Sequence, residues 1–150
     1  MTAQFPPPSD ALLDQLKSLL GKGGWKPADD AARYFEDPRL TFTGHARLIA
    51  LPASTQQVAE IVKLCNMHKA GLIPYGGGTG VVAGQLSPQS DNAIILSMER
   101  MNRIREVSTD EGMIVSEAGC VLEALHGAAM EANMMFPLSM GSKGSCSIGG

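Results

Sequence analysis

Residues 74–84 read PYGGGTGVVAG. Five glycines stand in these eleven positions, and no charged side chain interrupts them. Glycine gives up more backbone freedom on folding than any other residue, so a run this dense is unfavourable unless bare main chain has a purpose. Without β-carbons an anion can approach the peptide N–H groups closely. Consecutive donors in such a loop form a concave nest that binds phosphate without a cation. The charge map fits, because from Ala70 to Glu99 there is no lysine or arginine. A phosphate here would rest on main-chain dipoles and the Thr79 hydroxyl. The plain alternative is a tight turn between strands, but one or two glycines serve a turn and four lie within Gly76–Gly80.

Two better-known glycine motifs fail on context. Gly78, Gly80 and Ala83 satisfy the dinucleotide pattern G-x-G-x-x-G/A, with Glu99 at about the spacing of a ribose-binding acid. That pattern must open a helix, and the residues that follow, VVAGQLSPQSDN, carry Gly84, Pro88 and a Ser-Asp-Asn turn signal. No helix is expected over 81–92. A phosphate-binding P-loop needs Gly-Lys-Ser/Thr next, which is absent.

A second loop, PLSMGSKGSCSIGG over 137–150, repeats the recipe of small residues, hydroxyls and glycines, with Lys143 as its one charge. Two nests suit a ligand with two anionic groups or a long, partly enclosed body. A pyrophosphate-linked dinucleotide meets both conditions.

The flanking elements read as mixed α and β. After the proline-rich lead-in FPPPSD, Ser9 is an N-cap for a helix whose Leu12, Leu13, Leu16, Leu19 and Leu20 form one stripe, stopped by Gly21. DDAARYF reads as a short helix before Pro38. HARLIALP reads as a strand. Ser54 and Gln57 form a capping box for a helix that buries Val58, Ile61, Val62 and Cys65 and ends at Gly71. LIPY is a buried strand, completing a strand–helix–strand unit of the parallel kind. NAIILSM is another strand, RIREVS and GMIVSEA form a β-hairpin, and CVLEALHGAAMEANM is a helix with Val121, Leu122, Leu125 and Ala129 inward. Residues 1–40 are read as a helical lead-in and 41–150 as the ligand-binding domain.

Composition sets outer limits. The chain has 150 residues, 44% of them hydrophobic and 18% charged, which is globular rather than disordered. The net charge of -3 gives no general attraction to nucleic acid or an anionic membrane. No secretory signal is expected from the opening MTAQFPPPSD, and no apolar run reaches the ~18 residues a membrane helix needs. Three scattered cysteines argue against a disulfide framework and a cysteine zinc site, so a reducing, cytoplasmic location is expected. The sequence closes on two glycines inside a loop, whereas domains close on packed elements. It is expected to be the N-terminal fragment of a longer protein and inactive alone.

Taken in order, ARLIALPASTQQVAEIVKLCNMHKAGLIPYGGGTGVVAG, IILSMERMNRIREVS and EAGCVLEALHGAAMEANMMFPLSMGSKGSCSIGG resemble the FAD-binding domain of the vanillyl-alcohol oxidase/p-cresol methylhydroxylase flavoproteins, the PCMH-type domain. MNRI, EAGCVLE and FPLSMGSKGSCSIGG are most similar to the FAD-linked D-2-hydroxy-acid dehydrogenases, which act on D-2-hydroxyglutarate, D-lactate or glycolate. The resemblance runs from about Thr43 to Gly150. It implies that Pro74, Tyr75, Gly76, Gly77, Gly78, Thr79, Gly80 and Gly84 wrap the FAD pyrophosphate. It implies that Pro137, Leu138, Ser139, Gly141, Ser142, Cys146, Gly149 and Gly150 lie along the flavin and its ribityl-phosphate chain. Many relatives have Asp where this chain has Ser139. Neither loop holds a histidine, so the FAD is expected to be noncovalent.

The implied reaction is oxidation of a D-2-hydroxy acid to the 2-oxo acid, with hydride passed to the flavin and on to an electron acceptor. The family's substrate-binding arginines, catalytic base and metal-binding histidines lie downstream, so no catalytic residue and no metal ligand is assigned here. A divalent metal such as zinc belongs to the full-length protein only, as does a homodimer. Two alternatives come from other classes: a stand-alone nucleotide- or partner-binding module without catalysis, and a nicotinamide-dependent Rossmann enzyme, which would need a helix at 81–92.

Other conspicuous residues carry bland readings. Cys146 is a small loop residue rather than a nucleophile. His126 and Glu131 sit at i, i+5 and do not share a face for a metal. His45 has no evident partner. The nine methionines read as core filler, and Glu99 and Arg100 as a solvated turn.

Overall fold

The computed structural model describes residues 6–87 and 93–150. Helix α1 (Asp10–Leu20) starts where Ser9 takes a hydrogen bond from the Leu12 N–H, and ends as Gly21 adopts a positive φ of 65°. Strand β1 (Trp25–Pro27) follows, then two single 3-10 turns at Ala28–Asp30 and Ala32–Tyr34. These turns replace the short α-helix expected for DDAARYF. Strand β2 is only Leu48–Ala50, shorter than the apolar run that suggested it.

Helix α2 (Thr55–Met67) has the predicted cap: Ser54 Oγ accepts from the Gln57 N–H, and Gln57 Oε1 accepts from the Ala53 N–H. Such caps contribute about 1 kcal/mol each. Two details differ from expectation. Val62 is 46% exposed, because the buried stripe is the narrower one through Ile61 and Cys65. The helix ends at Met67, and Lys69, not a glycine, takes the left-handed conformation at φ 54°, so Gly71 opens the next strand.

Strands β3 (Gly71–Tyr75) and β4 (Ala93–Ser97) complete a four-stranded sheet of order β1-β2-β4-β3. β2 and β3 both pair parallel with β4, which lies between them, and β1 pairs antiparallel with β2. The strand–helix–strand unit is therefore parallel, as expected, but its two strands are not neighbours. Pro74 and Pro27 lie in the edge strands β3 and β1, where a missing N–H costs no ladder bond.

Central β4 is buried along its whole length, which is why AIIL reads as a continuous apolar run rather than an alternating one. Its side chains serve two cores. Leu48, Ala50, Ile94 and Leu96 meet the leucines of α1 and the Ile61–Cys65 stripe of α2. Ile49, Leu51 and Ile95 pack with Tyr34, Ala46 and Tyr75 on the other face. Strands β5 (Ile104–Ser108) and β6 (Met113–Ser116) form the expected antiparallel hairpin, with Gly112 at φ 63° in its turn and an irregular register between Ile104 and Glu106. Helix α3 (Leu122–Glu131) buries Leu122, Leu125 and Ala129, while Val121 is half-buried at its N-cap.

The methionines depart most from expectation. Met101 is buried, whereas Met67, Met113, Met130, Met134, Met135 and Met140 are all at least 37% exposed. No helix among the described residues is long and apolar enough to cross a membrane.

Candidate functional site

The glycine-rich segment leaves the end of β3 and runs against the second glycine-rich segment. Adding a β-carbon to Gly76 would bring it to 2.5 Å from both the Gly150 Cα and the Ser147 Oγ. One on Gly77 would overlap the carbonyl oxygen of Ser145 and stand 2.8 Å from the Cys146 Cα. The two loops that looked like separate nests meet backbone to backbone.

Gly78 takes a positive φ of 69°, and a β-carbon there would strike the Tyr75 hydroxyl. Residues 81–87 continue as bends and turns, not as a helix. A dinucleotide-binding helix is thus missing from the described part of 81–92, and residues 88–92 lie outside the described residues. Among the described residues, the N–H groups of Gly77, Gly78, Thr79 and Gly80 donate to no protein acceptor. The Ser147 hydroxyl is buried at the seam with no hydrogen-bond partner among them. Unused donors in a segment stripped of side chains, beside an orphaned buried hydroxyl, are the donor set a pyrophosphate requires.

Two clefts share Gly76, Gly77 and Ser147 as walls. One, of about 340 Å³, is lined by Pro74, Gly78, Thr79, Gly80, Gly84, Cys146 and Gly150, all of them expected site residues, and by Val82 and Gln85, which were not expected. The other, of about 460 Å³, adds Tyr75 and residues the sequence did not suggest: Arg33, Glu99, Asn102, Gly119, Val121, Gly144 and Ser145. Pro137, Leu138 and Ser139 lie elsewhere, lining a hollow with His126, Lys143 and exposed methionines. His126 Nε2 is 2.7 Å from the Leu138 carbonyl oxygen and its ring lies against Phe136, which ties that stretch to α3. Gly141 and Ser142 line none of these hollows. The Ser142 carbonyl accepts the N–H groups of Ser145 and Cys146 and closes a turn. Gly149 packs on Ala118 and donates its N–H to that residue's carbonyl.

Glu99 and Arg100 do lie in a turn, part-buried and exposed respectively, but both side chains have partners that the sequence reading did not supply. Glu99 accepts hydrogen bonds from the Tyr34 hydroxyl at 2.7 Å and from Arg33, and Lys26 Nζ lies 3.6 Å away. Arg100 donates to the Leu51 carbonyl at 2.9 Å. His45, expected to lack a partner, stacks on Phe35.

Two buried carboxylates organise nearby backbone, Glu117 at the cleft wall and Asp37 in the loop that follows the second 3-10 turn. Glu117, 3% exposed, takes hydrogen bonds from the Arg103 N–H and guanidinium and from Arg105. Those bonds, with the Arg103 side chain contributing most, hold its carboxyl down at about 2. The braced turn carries Gly119, where a β-carbon would overlap the Met98 carbonyl. Asp37 accepts the N–H groups of Phe42, Arg39 and Thr41, which lower its pKa.

The pattern of the FAD binding domain family matches residues 46–150. The chain belongs to that family. The mitochondrial D-2-hydroxyglutarate dehydrogenase of Bos taurus is 41% identical over 110 residues, covering 73% of this chain and 20% of the relative. Among solved structures, an alkyldihydroxyacetonephosphate synthase superposes with a TM-score of 0.82 at 21% identity, covering 99% of this chain and 30% of that one. A p-cresol methylhydroxylase gives 0.64 at 18% identity, covering 89% and 27%. At those identities the likeness is one of fold. The mixed α/β architecture is the PCMH-type flavoprotein fold, and its cofactor is FAD. The chain spans between 19% and 27% of the length of the curated relatives it matches.

Proposed function

We propose that this chain supplies the pyrophosphate-holding portion of an FAD-dependent dehydrogenase that oxidises a D-2-hydroxy acid to the 2-oxo acid. The observation that carries the reading is the seam between the loops, where four main-chain N–H groups and the Ser147 hydroxyl have no partner among the described residues. Similarity to the bovine D-2-hydroxyglutarate dehydrogenase supports the substrate class.

Bound flavin supplies the two-electron chemistry. The chain's own residues bind and orient. Pro74, Tyr75, Gly76, Gly77, Gly78, Thr79, Gly80 and Gly84 are assigned to the diphosphate side, while Cys146, Gly149 and Gly150 close the seam from the second loop. Pro137, Leu138, Ser139, Gly141 and Ser142 are assigned to the flavin side. Substrate carboxylate binding, proton removal and any metal fall to the remainder of a longer enzyme, whose partners are an electron acceptor and a second copy of itself. A reducing, cytoplasmic setting is proposed as well, in keeping with three unpaired cysteines.

The test is the absorbance spectrum of the polypeptide encoded by the complete gene. A flavin spectrum that bleaches anaerobically with D-2-hydroxy acids, and not with their L-enantiomers, supports the proposal. A colourless protein that stays colourless with added FAD overturns it.

A further inference from the structure

Resting on the FAD reading above, we infer that Arg33 is a phosphate-binding arm of the cofactor site, parked on Glu99 until the diphosphate arrives. The segment from Ala70 to Glu99 has no cation of its own, so sequence alone leaves the diphosphate to main-chain donors. The fold changes that account. Arg33 is the one cationic residue among the described walls of the two clefts that share Gly76 and Gly77.

Its placement is built. The Tyr75 hydroxyl, one residue before the glycines, donates to the Arg33 carbonyl at 3.0 Å. The Tyr75 ring meets the Tyr34 ring edge-on at 4.8 Å. The segment bearing Arg33 is therefore fastened to the stem of the glycine loop. The Arg33 side chain itself is 62% exposed, lies over the Tyr34 ring and reaches Glu99.

Glu99 does not depend on Arg33 alone. It also accepts from the Tyr34 hydroxyl and has Lys26 nearby, so the carboxylate keeps a donor and a cation when Arg33 turns away. Lys26 can stand in as the cation beside Glu99, which frees the Arg33 guanidinium for the cleft it lines. A guanidinium fork matches a phosphate's oxygens in a way an ammonium does not. Arg33 and Glu99 are thus coupled in opposite senses: one attracts the diphosphate and the other holds that attraction back.

The test is FAD affinity of the apoprotein made from the complete gene, followed by flavin fluorescence, with apoprotein melting temperature as a second readout. Arg33→Met is expected to weaken FAD binding tenfold or more and to reduce its salt dependence, while Glu99→Gln tightens it severalfold. Wild-type affinity in Arg33→Met overturns the assignment. So does equal weakening by both substitutions, the signature of a purely structural pair. Should Arg33→Met not fold, Glu99→Gln still decides, because unchanged or weaker binding there contradicts the proposal. A wild-type protein that binds no FAD overturns the underlying functional reading instead, and is told apart by that fact.

Discussion

A β-carbon on Gly77 would overlap the carbonyl oxygen of Ser145, so the first glycine-rich loop is fitted to the main chain of the second rather than merely flexible. Gly77→Ala is expected to force the loops apart and to lose about 1–3 kcal/mol of stability, as overpacking does. FAD affinity should fall with it. Gly84 makes the contrast: a β-carbon there meets nothing within 4 Å, and Gly84→Ala is expected to change stability by less than about 0.5 kcal/mol. Thermal melts of the two variants side by side check the pair. Equal behaviour would mean the seam does not constrain the loops.

Gly127 sits exposed within α3, with nothing near its missing β-carbon. Its backbone needs no positive φ. Glycine in a helix interior costs about 0.5–1 kcal/mol relative to alanine. Gly127→Ala is therefore expected to raise the melting temperature without altering FAD binding. A lower melting temperature would show that α3 is strained in a way its geometry does not reveal.

What the sequence made legible is what local chemistry decides. Ser9 and Ser54 mark helix starts because an N-cap hydroxyl acts within three residues. The hairpin was readable from two short strands flanking a turn, and the glycine loop from its own composition. Strand order was not, because nothing within β2 or β3 records that β4 passes between them. Arg33 and Glu99 meet across 66 positions, and a lone arginine in a polar stretch carries no sign of its destination. Ser145 and Ser147 lie inside the second loop beside the expected Ser142 and Cys146, and small hydroxyl residues at a close backbone approach are a usable signal for them. The methionines misled because an apolar side chain is equally at home in a core and on a face awaiting cover.

The Glu117 carboxyl, held at about 2 against an ordinary 4.5, gives the acid limb of stability a definite direction. A group depressed in the folded state contributes stability that is fully present above its unfolded value and is lost as the pH falls through the folded one. The window is therefore from about 4.5 down to about 2. Asp37, also lowered, adds to the same limb from its ordinary 3.8 downward. Glu117→Gln is expected to flatten the fall in melting temperature across that window and to lower stability at pH 7. Asp37→Asn should flatten only its lower part. An unchanged acid limb in Glu117→Gln would show that Arg103 and Arg105 do not hold this carboxylate in solution.

The three thiols should separate sharply in reactivity. Cys65, 3% exposed, is pushed up to about 11 by burial, and Cys120, 1% exposed, is raised by burial and by the nearby Glu117. The thiolate is the reactive form, so at pH 8 Cys65 holds roughly one thiolate per thousand molecules and is sealed in the core besides. Cys146 is half-buried at the seam, its thiol 3.4 Å from the Met140 sulfur. Brief iodoacetamide treatment followed by peptide mapping is expected to label Cys146 first and to leave Cys65 and Cys120 until denaturant is added. Bound FAD should slow that labelling, because Cys146 shares a cleft wall with Gly76–Gly80. Labelling of Cys65 at a comparable rate would mean that α2 does not stay packed on the sheet. Labelling of Cys146 indifferent to FAD would place the cofactor away from the seam.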